Sequence, residues 1–312
     1  MSLTPVTILD AGMGKTLSQR GVEIPASIWS ANALLVAPQV IVDIHLENIA
    51  AGARVITTNS YGVIRNDLAK IGIEDRATEL NQLAGKLAQQ ARDKAGIKGV
   101  LIAGSLPPLN GSYRPDLVLK QESLLPLYRE QVAALCPYVD LFICETMSHS
   151  AEAMAAADAA SGSGKPVFVA FTLHDEQSTC LKSGESLATV CELLQVYKPA
   201  GILANCCLPE RISEAMPVLV KSGADVVGGY ANAFSEIPKD WLLDGDKATD
   251  GRLTIREGIT PERYADFAER WIKQGANLVG GCCGTTAVFI QAISERITSL
   301  QVRQERRKGK WM

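Results

Sequence analysis

The stretch Ala276-Asn277-Leu278-Val279-Gly280-Gly281-Cys282-Cys283-Gly284-Thr285 reads as a short buried strand ending in a turn that carries two thiols. Adjacent strand residues point to opposite faces. Cys282 and Cys283 can therefore grip one ion only where the strand has ended and the chain bends sharply. Gly280, Gly281 and Gly284 permit the bend, because glycine takes backbone angles closed to other residues. A second apolar run, Gly201-Ile202-Leu203-Ala204, ends in Asn205-Cys206-Cys207. Three thiolates with an open fourth position suit a catalytic zinc ion. A lone cysteine is more often a small buried residue. A glycine-flanked pair at one strand end with a third thiol at another favours the metal. Spacing alone does not choose between Cys206 and Cys207.

Outward from that stretch, the same unit recurs: an apolar run, then a segment of helical spacing. The runs are residues 6–10, 54–59, 100–105, 141–146, 167–172, 201–206, 225–230 and the one that ends at the cysteine pair. Helices are expected over 39–51, 75–95, 122–135, 149–160, 186–197, 209–222, 261–274 and 287–300. The segment with Pro25 and Trp29 after the first run, and the polar segment 235–260, read as loops. Eight strand-then-helix units are the count of a (β/α)8 TIM barrel of the α/β class. Near-continuous apolar strands fit a parallel sheet buried on both faces. The rival is an open doubly wound sheet, but Gly12-Met13-Gly14 is an incomplete match to its glycine fingerprint. The expected organisation is one barrel over residues 1–300 and a basic tail over 301–312.

With 312 residues and 47% hydrophobic content, the chain can bury a large core. A net charge of −3 gives no reason to expect a nucleic-acid or membrane partner. No apolar run reaches bilayer-spanning length, and the N-terminus lacks the basic flank of a signal peptide. A cytoplasmic location is expected, where eight cysteines remain thiols rather than a disulfide framework. Cys136, Cys144, Cys180 and Cys191 read as fillers.

In such a barrel the chemistry sits at the C-terminal strand ends. Those ends carry Asp10, Thr58, Asn59, Ser105, Glu145, Thr146, Cys206, Tyr230, Asn232, Cys282 and Cys283. Asp10 and Glu145 read equally as helix caps or, on one rim with the thiols, as partners for a substrate ammonium. His45, His149 and His174 show no ligand spacing. There is no Gly-x-Ser-x-Gly elbow for a serine hydrolase.

Leu9-Asp10-Ala11-Gly12-Met13-Gly14, Thr57-Thr58-Asn59-Ser60-Tyr61, Glu145-Thr146, Asn205-Cys206 and Gly280-Gly281-Cys282-Cys283-Gly284 together resemble the homocysteine S-methyltransferase family. The match runs from the first strand to the eighth. The resemblance implies a barrel whose Zn2+ is held by Cys206, Cys282 and Cys283, with Cys207 an extra thiol beside the site. It implies that Asp10 and Glu145 help hold the amino acid group of homocysteine. Gly12, Thr58, Asn59 and Asn232 complete the candidate substrate set. The implied substrates are homocysteine and a methyl donor, and the product is methionine. The third-strand loop, Gly104-Ser105-Leu106-Pro107-Pro108-Leu109, departs from the family pattern on the side that could face the donor. Because the eighth unit ends near Leu300, no carrier-binding domain is expected. A small sulfonium donor, S-methylmethionine or S-adenosylmethionine, is favoured over methylfolate or methylcobalamin. Alternatives are another thiol or a selenol, such as selenohomocysteine, as acceptor, and betaine as donor.

Overall fold

The computed structural model describes residues 6–234 and 255–309. Its strands are β1 (Thr7–Ile8), β2 (Val55–Thr57), β3 (Leu101–Leu106), β4 (Leu141–Met147), β5 (Val167–Phe171), β6 (Gly201–Asn205), β7 (Val226–Ala231) and β8 (Leu278–Gly281). They form one parallel sheet in the order β1-β8-β7-β6-β5-β4-β3-β2. The two ends of that order meet. Leu9 bridges Val55, the Asp10 N–H donates to the Val55 carbonyl (3.0 Å), and the Arg54 N–H donates to the Ile8 carbonyl (2.8 Å). A (β/α)8 barrel results.

Side-chain alternation sorts the apolar residues of the strands into two layers. Leu9, Val55, Ala103, Leu141, Ile143, Phe168, Ala170, Leu203, Tyr230 and Leu278 meet in one inner cluster, to which β2 to β8 contribute and to which Leu9, just past β1, is added. Their neighbours Phe142, Cys144, Val169 and Ile202 belong to the larger layer between sheet and helices. At about 25 cal/mol per Å² of buried apolar area, this second layer holds the helices against the barrel.

The helices are α1 (Met13–Gln19), α2 (Asn32–Val36), α3 (Pro38–Ala51), α4 (Arg65–Ala69), α5 (Ala77–Ala95), α6 (Gln121–Leu135), α7 (Ser150–Ser161), α8 (Leu187–Leu194), α9 (Pro209–Lys221), α10 (Pro261–Gln274) and α11 (Ala287–Gly309). Thr260 caps α10, its hydroxyl accepting the Arg263 N–H at 3.2 Å. Two expectations need correction. The segment read as a loop after the first strand contains α1 and α2. Leu17, Ala33 and Leu34 are buried in a satellite core with Ile41, Leu80 and Ala84, so tertiary packing stabilises turns too short to show a period. The last helix does not stop at Leu300 but continues through Gly309. Residues 301–308 contain no Pro or Gly and are mostly Gln, Arg, Glu and Lys, which favour helix. The expected loop 235–260 lies outside the described residues up to 254. Among the described residues no single helix is long and apolar enough to cross a membrane.

Candidate metal centre and substrate pocket

Cys206 follows the last residue of β6, and Cys282 and Cys283 follow the last residue of β8. Their sulfur atoms all lie within 4.8 Å of one another, with Cys206 Sγ and Cys283 Sγ 3.4 Å apart. The three thiols could hold a metal ion. Cys207 is not in the group. Its thiol is buried, and burial pushes its pKa up to about 12.

Local backbone explains why β6 delivers Cys206. Cys206 has φ +50°, so the strand breaks there into the left-handed region, which a non-glycine residue enters at a cost. The Asn205 side chain fixes the neighbouring rim: its Oδ1 accepts the Thr146 N–H (2.8 Å) and its Nδ2 donates to Thr146 Oγ1 (2.9 Å). Thr146 is itself left-handed, at φ +63°. It sits in the register shift between Cys144 and Met147 on β4, an irregularity of the kind that re-aims side chains beside functional sites.

The β8 turn is held from both sides. Gly281 N–H donates to the Asp10 carbonyl (3.0 Å) and Cys282 N–H to the Ala231 carbonyl (2.9 Å). Thr285 Oγ1 donates to the Cys282 carbonyl (2.6 Å). Gly12 is required by close approach, since a Cβ there would lie 2.5 Å from the Cys282 carbonyl oxygen. Hydrogen bonds from the thiols of Cys282 and Cys283 hold Cys206 well below the usual thiol range. The same bond to Cys206 raises Cys282.

Two carboxylates face the same pocket. Glu145 Oε1 accepts the Ser105 hydroxyl (2.5 Å) and Oε2 accepts the Tyr230 hydroxyl (3.2 Å). Asp10 Oδ2 accepts the Thr57 N–H (2.8 Å) and Oδ1 the Thr57 hydroxyl (3.0 Å). Neither caps a helix. Both are buried, and desolvation raises each to about 7 against the hydrogen bonds that lower it. The Glu145 charge adds to the rise at Asp10. Two buried acids, held by neutral donors and lacking a cationic partner among the described residues, are ready for a cation from outside.

The remaining candidates divide. Gly12, Thr58 and Asn59 line the pocket. Thr58 Oγ1 is engaged by the Ser105 N–H (3.1 Å) and Ser60 Oγ (2.8 Å), and Asn59 Nδ2 donates to the Ser30 carbonyl (2.9 Å). Asn232 stands outside the lining. Its N–H donates to the Cys207 carbonyl (3.1 Å) because the chain has already turned away after β7. His45 is buried in α3, His149 caps α7 by accepting the Ala151 N–H, and His174 accepts the N–H groups of Glu176 and Gln177.

Sequence reasoning missed the walls. Aromatic residues make up 5% of the chain, yet Trp29, Tyr61, Tyr113, Tyr230 and Phe234 all line this pocket. Tyr113 donates its hydroxyl to Cys206 Sγ at 2.9 Å. Lys15 lines it too. Tyr230, at the end of β7, was already among the strand-end candidates; the signal of the others was position, since segments after barrel strands carry function and Trp29, Tyr61, Tyr113 and Phe234 follow β1, β2, β3 and β7.

Known proteins resemble this chain along most of its length. The homocysteine S-methyltransferase family model matches residues 7–297. The homocysteine S-methyltransferase of Escherichia coli is 29% identical over 93% of this chain and 95% of its own. A selenocysteine methyltransferase of Astragalus bisulcatus is 28% identical over 94% of this chain and 93% of its own. The crystal structure of the metallated form of the Escherichia coli homocysteine methyltransferase MmuM superposes with a TM-score of 0.79. It is 29% identical and covers 94% of this chain and 96% of that one. With the family model spanning nearly every strand and helix of the barrel, the chain belongs to the homocysteine S-methyltransferase family and is a methyltransferase.

Proposed function

We propose that the protein transfers a methyl group from a small sulfonium, S-methylmethionine or S-adenosylmethionine, to the thiol of homocysteine, forming methionine, with zinc as its metal. The carrying observation is that three clustered thiols and two buried carboxylates share one pocket. Cys206, Cys282 and Cys283 are the proposed ligands. Four-coordinate zinc with Zn–S of about 2.3 Å needs sulfurs roughly 3.8 Å apart, and sulfurs that all lie within 4.8 Å of one another, one pair at 3.4 Å, are close enough for that. A bound zinc supplies the Lewis acid that keeps a substrate thiol as thiolate near neutral pH.

The chain's own groups do the rest. Asp10 and Glu145 receive the homocysteine ammonium, and Gly12, Thr58 and Asn59 shape the wall around it. Held there, the homocysteine sulfur points toward the cluster, and its proton leaves to solvent. Its new bond to the methyl carbon forms as the donor's S–CH3 bond breaks, and the donor departs as a neutral thioether. Alignment of sulfur, methyl carbon and leaving group contributes up to roughly 7–11 kcal/mol. The aromatic walls support a cationic donor, because ring faces attract onium groups. A selenol acceptor is the second reading. It is favoured by relatives named as selenocysteine methyltransferases, and a selenol would present the same kind of soft anion.

The test is product formation from homocysteine with S-methylmethionine, S-adenosylmethionine, betaine and methylfolate at equal concentration, alongside zinc analysis. Selenocysteine competes as a second acceptor. Activity with methylfolate alone overturns the donor assignment, and full activity without zinc overturns the metal.

A further inference from the structure

A pocket that brings a methyl cation equivalent to metal-held thiolates carries a hazard, because the protein's own sulfurs compete with the substrate for the methyl group. Cys206 lines that pocket. One hydroxyl is aimed at its sulfur, the Tyr113 O–H at 2.9 Å. Such a bond to an anionic sulfur is charge-assisted, withdraws charge and occupies a lone pair. Tyr113 is held there at some expense. It lies in the loop between β3 and α6 at φ +61°, a region where a non-glycine residue persists only if its surroundings fix it. Lys182 Nζ stands 5.8 Å from the Tyr113 ring centroid and is anchored to Asp175 at 2.6 Å. Both belong to the segment between β5 and α8. Loops from two strands thus converge on a sulfur at the end of a third. Cys283 lines the same pocket and receives no hydroxyl hydrogen bond among the described residues.

We propose that Tyr113 is a positioning residue that shields Cys206 from methylation by the enzyme's own donor, with Lys182 fixing the tyrosine ring. The suppressed reaction is balanced. The Cys206 thiolate attacks the donor methyl carbon, the S–CH3 bond of the sulfonium breaks, a neutral thioether leaves, and S-methylcysteine remains in place of the thiolate. The inference rests on the methyl-transfer reading above.

The test uses zinc-loaded wild type, Tyr113→Phe and Lys182→Met, each exposed to iodomethane and separately to S-methylmethionine. Peptide mass spectrometry then gives the ratio of methylated Cys206 to methylated Cys283. Cys283 is the internal reference, since metal loss exposes both sulfurs. Tyr113→Phe should raise the ratio about tenfold, the rate equivalent of one charge-assisted hydrogen bond, and Lys182→Met should raise it less. An unchanged ratio in Tyr113→Phe overturns the proposal. If that variant does not fold, an unchanged ratio in Lys182→Met does so. A raised ratio with iodomethane in a protein that methylates nothing with any sulfonium leaves the shield standing and removes the donor reading.

Discussion

Replacing Glu145 by glutamine should separate substrate binding from stability, with opposite signs. The substitution keeps the side chain's size. The amide oxygen can still accept from Ser105, and Tyr230, which donates in wild type, can instead accept from the amide nitrogen, so both contacts, now at 2.5 and 3.2 Å, keep a partner. What disappears is the charge offered to the substrate ammonium. A hydrogen bond to a charged group contributes about 1.5–3 kcal/mol, so homocysteine should bind roughly 10- to 150-fold more weakly. Stability should move the other way. A carboxyl raised from 4.5 to about 7 by burial contributes stability that is full below the unfolded value and lost as pH rises through the folded one. At 1.36 kcal/mol per pH unit, that loss amounts to about 3 kcal/mol well above pH 7, and glutamine avoids it. The variant should therefore melt above wild type at pH 8, with the gap shrinking toward pH 5. The assays are the homocysteine KM, calorimetric binding, zinc content and melting at both pH values. Unaltered homocysteine affinity with zinc in place would refute the assignment of Glu145 to the ammonium.

Cys206→Ala should lose metal and activity while melting cooperatively, whereas Cys207→Ala should retain both; metal analysis of the two purified variants decides whether the ligand is 206 or 207. Gly12→Ala places a methyl 2.5 Å from the Cys282 carbonyl oxygen, and overpacking of this kind costs about 1–3 kcal/mol. A chelator competition should show weaker metal retention, and wild-type retention would mean the two loops separate easily. Asp10, raised to about 7 mainly by burial, must ionise to hold an ammonium. Affinity for a thiol-free analogue such as norleucine should thus fall as pH drops from 8 to 6, by at most about tenfold per pH unit for each titrating group; a flat titration contradicts that role.

The barrel was legible because each strand of a parallel sheet is apolar on both faces and stands out as a run. The thiol cluster was legible for a related reason: strand ends in this fold share one rim, so Asn205-Cys206 and Cys282-Cys283 had to meet. The choice of Cys206 over Cys207 was not legible. It is set by the left-handed turn at Cys206, which no periodicity reports. Asn232 lies outside the pocket lining, with its N–H on the Cys207 carbonyl, a placement that strand position alone does not report. Tyr113 and Trp29 were invisible in the pattern, since Tyr113 lies in an irregular loop and Trp29 opens a single 3-10 turn, both at positive φ, where side-chain direction depends on tertiary packing. Helices α1 and α2 were missed for the same reason.

The bonds that tie the β8 turn to the first strand also set an order of events. One proposed ligand lies at 206 and the other two at 282 and 283, and the β8 turn is shaped by Asp10 and Gly12 from the opposite end of the sequence. During synthesis the last two thiols emerge only after all eight strands have been made. A metal held by that proposed set would therefore not template this fold as it does a zinc finger, where ligand capture and folding are one step. The barrel would close on its own hydrophobic core, and the proposed ion would be a late arrival in a finished socket. If zinc is the metal, as proposed, a cell short of it would accumulate a folded, inactive reserve of this protein that metal alone could switch on, with no need for new synthesis.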